Sequence, residues 1–229
     1  QVTWPPAATT HTGPWTIRDG RGGGKRVSAA TASAPVSTSD IALAESAMAA
    51  LNQASLFMIR AQDADLDHML ATRGYAILDP VSLYCCPINT LTDTPPAKMS
   101  AFTIWPPLAI MHELWAQSGI GPARTAVMNR TRGAKCAILA RIKSRPAGAA
   151  FVAVHRQIAM IHAIEVTKSL RRNGAGINIM RAAARWAQDQ GAHYFSVLVT
   201  DANAAAKALY SKSGMTVVGH YHYRMRQKQ

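Results

Sequence analysis

The chain has 229 residues, 48% of them hydrophobic and 16% charged, the proportions of a folded globular protein rather than a disordered one. No apolar run is long enough to span a bilayer. Three cysteines, with Cys85 and Cys86 adjacent, offer neither a disulfide framework nor a zinc spacing, so buried free thiols and no metal are expected. The net charge of +13 is uneven: residues 1–96 hold six Lys or Arg against eight Asp or Glu, and residues 97–229 hold nineteen against four. The second part therefore carries a field that seeks anions, whether a polyanionic cofactor, an acidic substrate or nucleic acid.

The start, Gln1-Val2-Thr3-Trp4-Pro5-Pro6, shows no basic segment followed by an apolar core, so the cytoplasm is the expected location. Residues 13–28 read as two short strands around the Gly-rich turn Gly22-Gly23-Gly24. This turn is no P-loop, since Asp19 stands where a glycine is needed and Arg26 where Ser or Thr must follow the Lys. Ser39-Asp40 predicts a helix cap with the helix running to 52, its apolar face made by Ile41, Ala44, Met48 and Leu51. A strand over 56–60, a helix over 63–72 closed by Gly74, and a strand region over 75–88 interrupted at Pro80 follow.

Residues 89–97, with Asp93-Thr94-Pro95-Pro96, form the best linker, because Pro pairs extend neither a ladder nor a helix. Two domains are expected, 1–96 and 97–229. The second begins with a strand over 101–105 and a helix over 108–117, then strands over 123–129, 136–143, 149–155 and 157–166. A helix over 174–190 presents Ile177, Met180, Ala184 and Ala187 on one face, with Gly191 as its stop. A strand over 193–199, a helix over 202–211 capped by Thr200 or Asp201, and a last strand pair over 216–226 complete a mixed α/β sheet.

The segment Val166-Thr167-Lys168-Ser169-Leu170-Arg171-Arg172-Asn173-Gly174-Ala175-Gly176 carries the chemistry. An apolar strand leads in and an Ala-rich helix leads out, so unpaired backbone N–H groups and the positive end of the helix dipole make an anion cradle. A dinucleotide fingerprint is a poor fit, because Ile179 stands where the third glycine is needed.

Arg171-x-x-Gly174-x-Gly176 after that strand, followed by Asn203-x-x-Ala206-x-x-Leu209-Tyr210-x-Lys212-x-Gly214-Met215, resembles the GNAT superfamily of acyl-CoA-dependent N-acetyltransferases. The resemblance covers residues 97–229 and is strongest over 158–223, the tail from Val217 to Tyr223 looking like the family's closing strands. Thr167-Lys168 departs from a common Val-x-Pro turn, Asn178 takes a usually apolar helix position, and Met215 replaces a frequent Phe. Residues 1–96 look like the degenerate GNAT-like module of tandem members, without a cradle, which implies that they shape the acceptor pocket and bind no cofactor.

The resemblance implies acetyl-CoA as cosubstrate. Backbone groups near Ile164 and Val166 would pair with the pantetheine arm. The loop of Arg171, Arg172, Asn173, Gly174, Ala175 and Gly176 would wrap the pyrophosphate, where glycines let phosphate approach the amides. Asn203 belongs to the same site, and Tyr210 matches the family's general acid. Glu165 is the candidate base, directly or through water, unless it pairs with Arg171; His155 and His162 are the other candidates. No Cys lies at the motif, which favours direct attack by an amine in a ternary complex.

Two other readings compete. The basic second part, with Lys135, Arg141, Lys143 and Arg145 along one hairpin and Tyr221, Tyr223 and Trp186 as stacking rings, could bind nucleic acid, but the remaining basic residues are scattered and no nucleic-acid signature appears. An acyl-CoA-binding sensor without turnover keeps the fold and drops the reaction. The acceptor amine is not named by any motif, and a homodimer is left open.

Overall fold

The computed structural model describes residues 2–226. Strands β1 (Ala8–Thr12) and β2 (Trp15–Asp19) form a hairpin turning at Gly13, whose φ of 54° is in the left-handed region. Helix α1 (Lys25–Ser28) and the two-residue strand β3 (Thr31–Ala32) follow, and the three strands make a small sheet in the order β1-β2-β3. Then come α2 (Thr38–Ala50), β4 (Leu56–Arg60), α3 (Ala64–Thr72), β5 (Tyr75–Pro87) and the single turn α4 (Asn89–Thr92). The remainder runs β6 (Ala101–Ile104), α5 (Ala109–Ala116), α6 (Pro122–Arg130), β7 (Lys135–Ile142), β8 (Arg145–His155) and β9 (Ile158–Val166). A 3-10 turn at Lys168–Leu170 precedes α7 (Ala175–Asp189), β10 (Tyr194–Thr200), α8 (Ala204–Lys212) and β11 (Thr216–Arg226).

Eight strands form one mixed sheet, β4-β11-β5-β10-β9-β8-β7-β6, in which β9 and β10 are the parallel pair. The order α2-β4-α3-β5 is repeated as α7-β10-α8-β11. Gly74 (φ 77°) and Gly214 (φ 81°) follow the second helix of each set, and Asp63 and Asn203 occupy its N-cap. The last strand of each set is inserted between the two strands of the other, giving the order β4-β11-β5-β10. Hydrogen bonds from β5 to β10 and β11 thus join residues on either side of position 96.

Several elements differ from the sequence expectation. Residues 123–129 were expected as a strand and form α6 instead, because Pro122 starts a helix without losing a hydrogen bond and Val127 and Met128 then share its buried face. Residues 25–28 form the helical turn α1 and not the second strand of a hairpin. Pro80 does not interrupt β5: the ladder with β11 slips there, with Asp79 at φ 44°, and resumes at Val81. The expected closing strand pair is one strand, β11, whose two partners come from the first part of the chain. Ser37 caps α2 through a capping box with Asp40, and Asn203 caps α8 by accepting from the Ala206 N–H, because Asp201 is held by Ser82 and Lys207.

The sheet is covered on both faces. Helix α7 lays Ile179, Met180, Ala183, Ala184 and Ala187 against Ile138, Val152, Ile161 and Val197. Its alanines let the helix axis come close, and burial of a large apolar side chain such as Ile179 stabilises by about 1.5–3 kcal/mol. The opposite face packs Trp115, Met111, Val127 and Met128 on Phe151 and Leu139. A separate core of Trp15, Ile41, Met48, Phe57, Leu70 and Tyr75 lies beneath α2 and α3.

Candidate functional site

The site is produced by two strands that stop pairing. β9 and β10 are in register from Tyr194↔Ile158 to Val197↔Ile161, and no pairing continues beyond. On its other edge β9 bulges: Phe151 faces His162 and Ala149 faces Glu165, so Ala163 and Ile164 together oppose Ala150. Ala163 adopts φ 52°, and the indole N–H of Trp115 donates to its carbonyl at 2.9 Å, compensating that oxygen for the irregular ladder. The bulge changes which residues face α7. Ala159 and Ile161 precede it on that face, and Ile164 and Val166 continue there after it. Gly148 is required opposite, since a Cβ on it would lie 2.3 Å from the Glu165 carbonyl oxygen.

A cavity of about 320 Å³ fills the gap between β9, α7 and α8. Ile164, Glu165 and Val166 line it from the strand, Arg171, Arg172, Gly174, Ala175 and Gly176 from the loop and helix start, and Asn203 and Tyr210 from α8. The dispersed residues singled out in the sequence are thus brought to one place, with Asn173 standing apart. Asn173 does not line the cavity; its side-chain amide donates to the Arg171 carbonyl at 2.9 Å and fixes the loop. Leu209, Ile177, Ala205 and Ala206 add apolar wall; of these, Ala206, four residues before Tyr210 on α8, is the one that helix periodicity places on the same face.

Gly174 caps α7 with φ 82°, a conformation that costs an L side chain about 1–2 kcal/mol. No side chain caps this helix and no acid stands in its first turn, so the N–H groups of Ala175, Gly176 and Ile177 have no intrahelical partner and the positive dipole end is uncompensated. A Cβ at Gly176 would meet Leu209 Cδ2 at 3.0 Å, so the bare glycine lets α7 and α8 approach. Arg171 Nε donates to the Val166 carbonyl at 3.1 Å, which folds the loop back over the strand end. The result is a basic, amide-lined turn that fits a diphosphate, above an apolar slot that fits an extended chain.

The equivalent place in the first part of the chain is built differently. A cavity lies there between the segment before α2 and the start of α3, but Ser37 and Asp40 satisfy the α2 terminus, and Asp63 and Asp65 line the wall. Leu70 holds the position that Tyr210 has in the second repeat, as the spacing to Gly74 and Gly214 shows.

Tyr210 is 5% exposed, packs on Tyr84 with ring centroids 5.6 Å apart, and reaches the cavity with a hydroxyl that has no hydrogen-bond partner among the described residues. Burial, reinforced by the Glu165 carboxylate, pushes its phenol well above the usual tyrosine range. It is therefore a held proton. Glu165 is half-buried, and no ion pair with Arg171 or any other cation forms among the described residues. The two histidines differ. His155 pairs with Ile158 at the far end of β9, away from the cavity. His162 is buried: Arg26 Nη1 lies 3.0 Å from its Nδ1 and Thr3 Oγ1 lies 3.1 Å from its Nε2. Desolvation, then the Arg26 charge, lowers its pKa well below the ordinary value, so it is neutral, with its Nδ1 lone pair occupied by an arginine donor.

Some residues weighed for a nucleic-acid surface have other contacts. Lys135 Nζ donates to the carbonyls of Asn129 and Thr131 at 2.7 Å each, and Tyr223 is 4% exposed. No helix is long and apolar enough to cross a membrane among the described residues.

Comparison with known proteins agrees with this geometry. Residues 107–215 match the Acetyltransferase (GNAT) family. A stretch of 63 residues, 28% of this chain, is 35% identical to the uncharacterized N-acetyltransferase YobR of Bacillus subtilis, and it spans only 26% of that relative's length. Among solved structures, a GCN5-related N-acetyltransferase from Kribbella flavida superimposes with a TM-score of 0.74 at 18% identity, covering 98% of this chain and 91% of that one. A tandem GNAT protein from the clavulanic acid biosynthesis pathway gives 0.63 at 13% identity, covering 98% of this chain and 85% of its own. At these identities the structural likeness speaks for the fold.

Proposed function

Since this chain carries a GNAT acetyltransferase domain at residues 107–215, we propose that it transfers an acetyl group from acetyl-CoA to a primary amine by direct attack in a ternary complex. The observation that supports this most is the junction of three features in one cavity: the parted end of β9 and β10, the uncapped basic turn at Arg171 to Gly176, and the unpartnered hydroxyl of Tyr210.

The residues present fit the coenzyme. The amides of Gly174, Ala175 and Gly176, with Arg171 and Arg172, would hold its diphosphate, and the unpaired edge of β9 near Ile164 and Val166 would pair with its amide-bearing arm. Acetyl-CoA, when bound, supplies an acyl group activated as a thioester. Glu165, directly or through a water, takes the proton released by the acceptor nitrogen as the new C–N bond forms. Tyr210 Oη gives its proton to the sulfur as the C–S bond breaks, and burial keeps that proton in place until then. Residues 1–96 serve as a degenerate module that closes the acceptor side, and residues 97–229 as the catalytic one.

The experiment is a titration with acetyl-CoA followed by a thiol-release assay over a panel of amines. Coenzyme binding with turnover that falls in Tyr210→Phe supports the proposal. Absence of coenzyme binding, or turnover indifferent to Tyr210, refutes it.

A further inference from the structure

A second cavity lies on the other side of the β9 bulge. It has a volume of about 200 Å³ and is divided from the coenzyme cavity by consecutive residues of β9, His162 and Ala163 lining one and Ile164 and Glu165 the other. Its walls come from both parts of the chain: the Gly-rich loop and α1, the start of α6, the free end of β10, and β11.

The charges on this cavity are one-sided. Lys25, Arg26 and Arg124 face it, against the single carboxylate of Asp79. Asp79 is already engaged by Lys25 Nζ at 2.7 Å, which leaves the two arginines uncompensated. Arg26 is aimed rather than loose. Its guanidinium lies 5.7 Å from the centroid of Trp4 and donates to His162 Nδ1, while its other nitrogens have no partner among the described residues. His162 adds no charge of its own, being held neutral. The side chain of Arg124, on the first turn of α6, makes no hydrogen bond or ion pair among the described residues and lies against Gly24, where a Cβ would come within 3.4 Å of its Nε. The rings of Trp4, Tyr221 and Tyr223 line the same cavity.

Two guanidinium groups without an ion-pair partner among the described residues, in a cavity also lined by aromatic rings, form a receptor for a carboxylate or phosphate attached to a small apolar body. A polycationic amine meets repulsion in the same place. We infer that the acceptor is a small amine carrying an anionic group, a carboxylate or a phosphate, which Arg26 and Arg124 read while the amine is directed toward the β9 bulge. This rests on the acetyltransferase proposal and names the substrate class for that same site.

The test uses matched amines that differ in the anion: L-phenylalanine against phenethylamine, L-leucine against isoamylamine, and phosphoethanolamine against ethanolamine, with spermidine and a lysine-rich peptide as cationic probes. Binding to the full chain is titrated in the presence of coenzyme A, and acetylation is followed by thiol release. The expected result is at least about tenfold tighter binding for the anionic member of at least one pair, the scale of one charge-assisted hydrogen bond. Arg124→Gln and, separately, Arg26→Gln should remove that preference, raising KM for the anionic amine with the affinity for acetyl-CoA unchanged. Arg124→Gln breaks no side-chain hydrogen bond or ion pair among the described residues, so it reports even if Arg26→Gln fails to fold. Equal binding within every pair, preference for the neutral or cationic probes, or no binding by any anionic member overturns the inference. If acetyl-CoA itself does not bind, the acetyltransferase proposal is what has failed. The choice of carboxylate or phosphate follows from which pair discriminates.

Discussion

Replacing Tyr210 by Phe separates chemistry from folding with unusual clarity. The ring packs on Tyr84 and belongs to the main core, and Phe retains all of that packing. The hydroxyl makes no hydrogen bond within the described residues, so its removal leaves no orphaned partner. The stability change should fall below the roughly 0.5–1.5 kcal/mol that a hydrogen-bonded hydroxyl contributes. Coenzyme affinity should hold as well, because the cradle lies on the loop and α7. Turnover is different: loss of a positioned general acid costs about 10²–10⁴ in kcat, or about 2.7–5.4 kcal/mol of barrier. Burial holds the phenol protonated, so no falling limb of the wild-type profile below about pH 10 should belong to this residue. Steady-state kinetics, coenzyme titration and thermal melts on the same two proteins decide it. An unchanged kcat, or equal losses in affinity, stability and turnover, would refute the assignment.

Further outcomes follow from individual contacts. Gly174→Trp should abolish coenzyme binding in a calorimetric titration, through both the bulk of the indole and the cost of an L residue at φ 82°; retained affinity would place the diphosphate elsewhere. Gly148→Ala should lower stability by about 1–3 kcal/mol in a denaturant melt, because the added Cβ would meet the Glu165 carbonyl at 2.3 Å and push β8 from β9. Glu165→Gln should depress kcat by about 10²-fold or more with little change in coenzyme affinity, and a near-normal kcat would remove Glu165 as base. Asp67 joins α3 to β11 through Arg224 and His222, and the Arg224 hydrogen bond, ahead of the smaller His222 contribution, holds its pKa below the usual carboxylate value. The folded pKa is depressed, so this contribution is present above about pH 4 and is lost as pH falls through the folded value. Asp67→Asn should therefore flatten the acid limb of a stability-versus-pH curve.

The parts of the architecture that were legible are those where local pattern and tertiary demand agree. The β9 to α7 passage shows in sequence because an apolar strand, a glycine-containing basic loop and an alanine-rich helix each leave a local signature. Tyr210 and Asn203 could be placed with it by motif spacing, although nothing local reveals that they meet Arg171 across the cavity. The α6 helix was missed because Thr125 and Val127 mimic strand alternation, and the burial of Val127 together with Met128 is settled only by packing on the sheet. The exchange of β5 and β11 between the two repeats is a long-range pairing with no local signal. The same holds for the second cavity: Arg26 and Arg124 are far apart in the chain and look like ordinary surface cations until the Gly-rich loop folds over the start of α6. The bulge at Ala163 likewise has no local signal, because its position depends on Gly148 and Trp115, on a neighbouring strand and a distant helix.

The most direct measurement is a crystal structure of the chain with coenzyme A. Under the proposed transfer the diphosphate lies on the amides of Gly174 to Gly176 beside Arg171, the pantetheine arm along the unpaired edge of β9, and the thiol within reach of Tyr210 Oη. Coenzyme density at any other surface, or a thiol directed away from Tyr210, would contradict it.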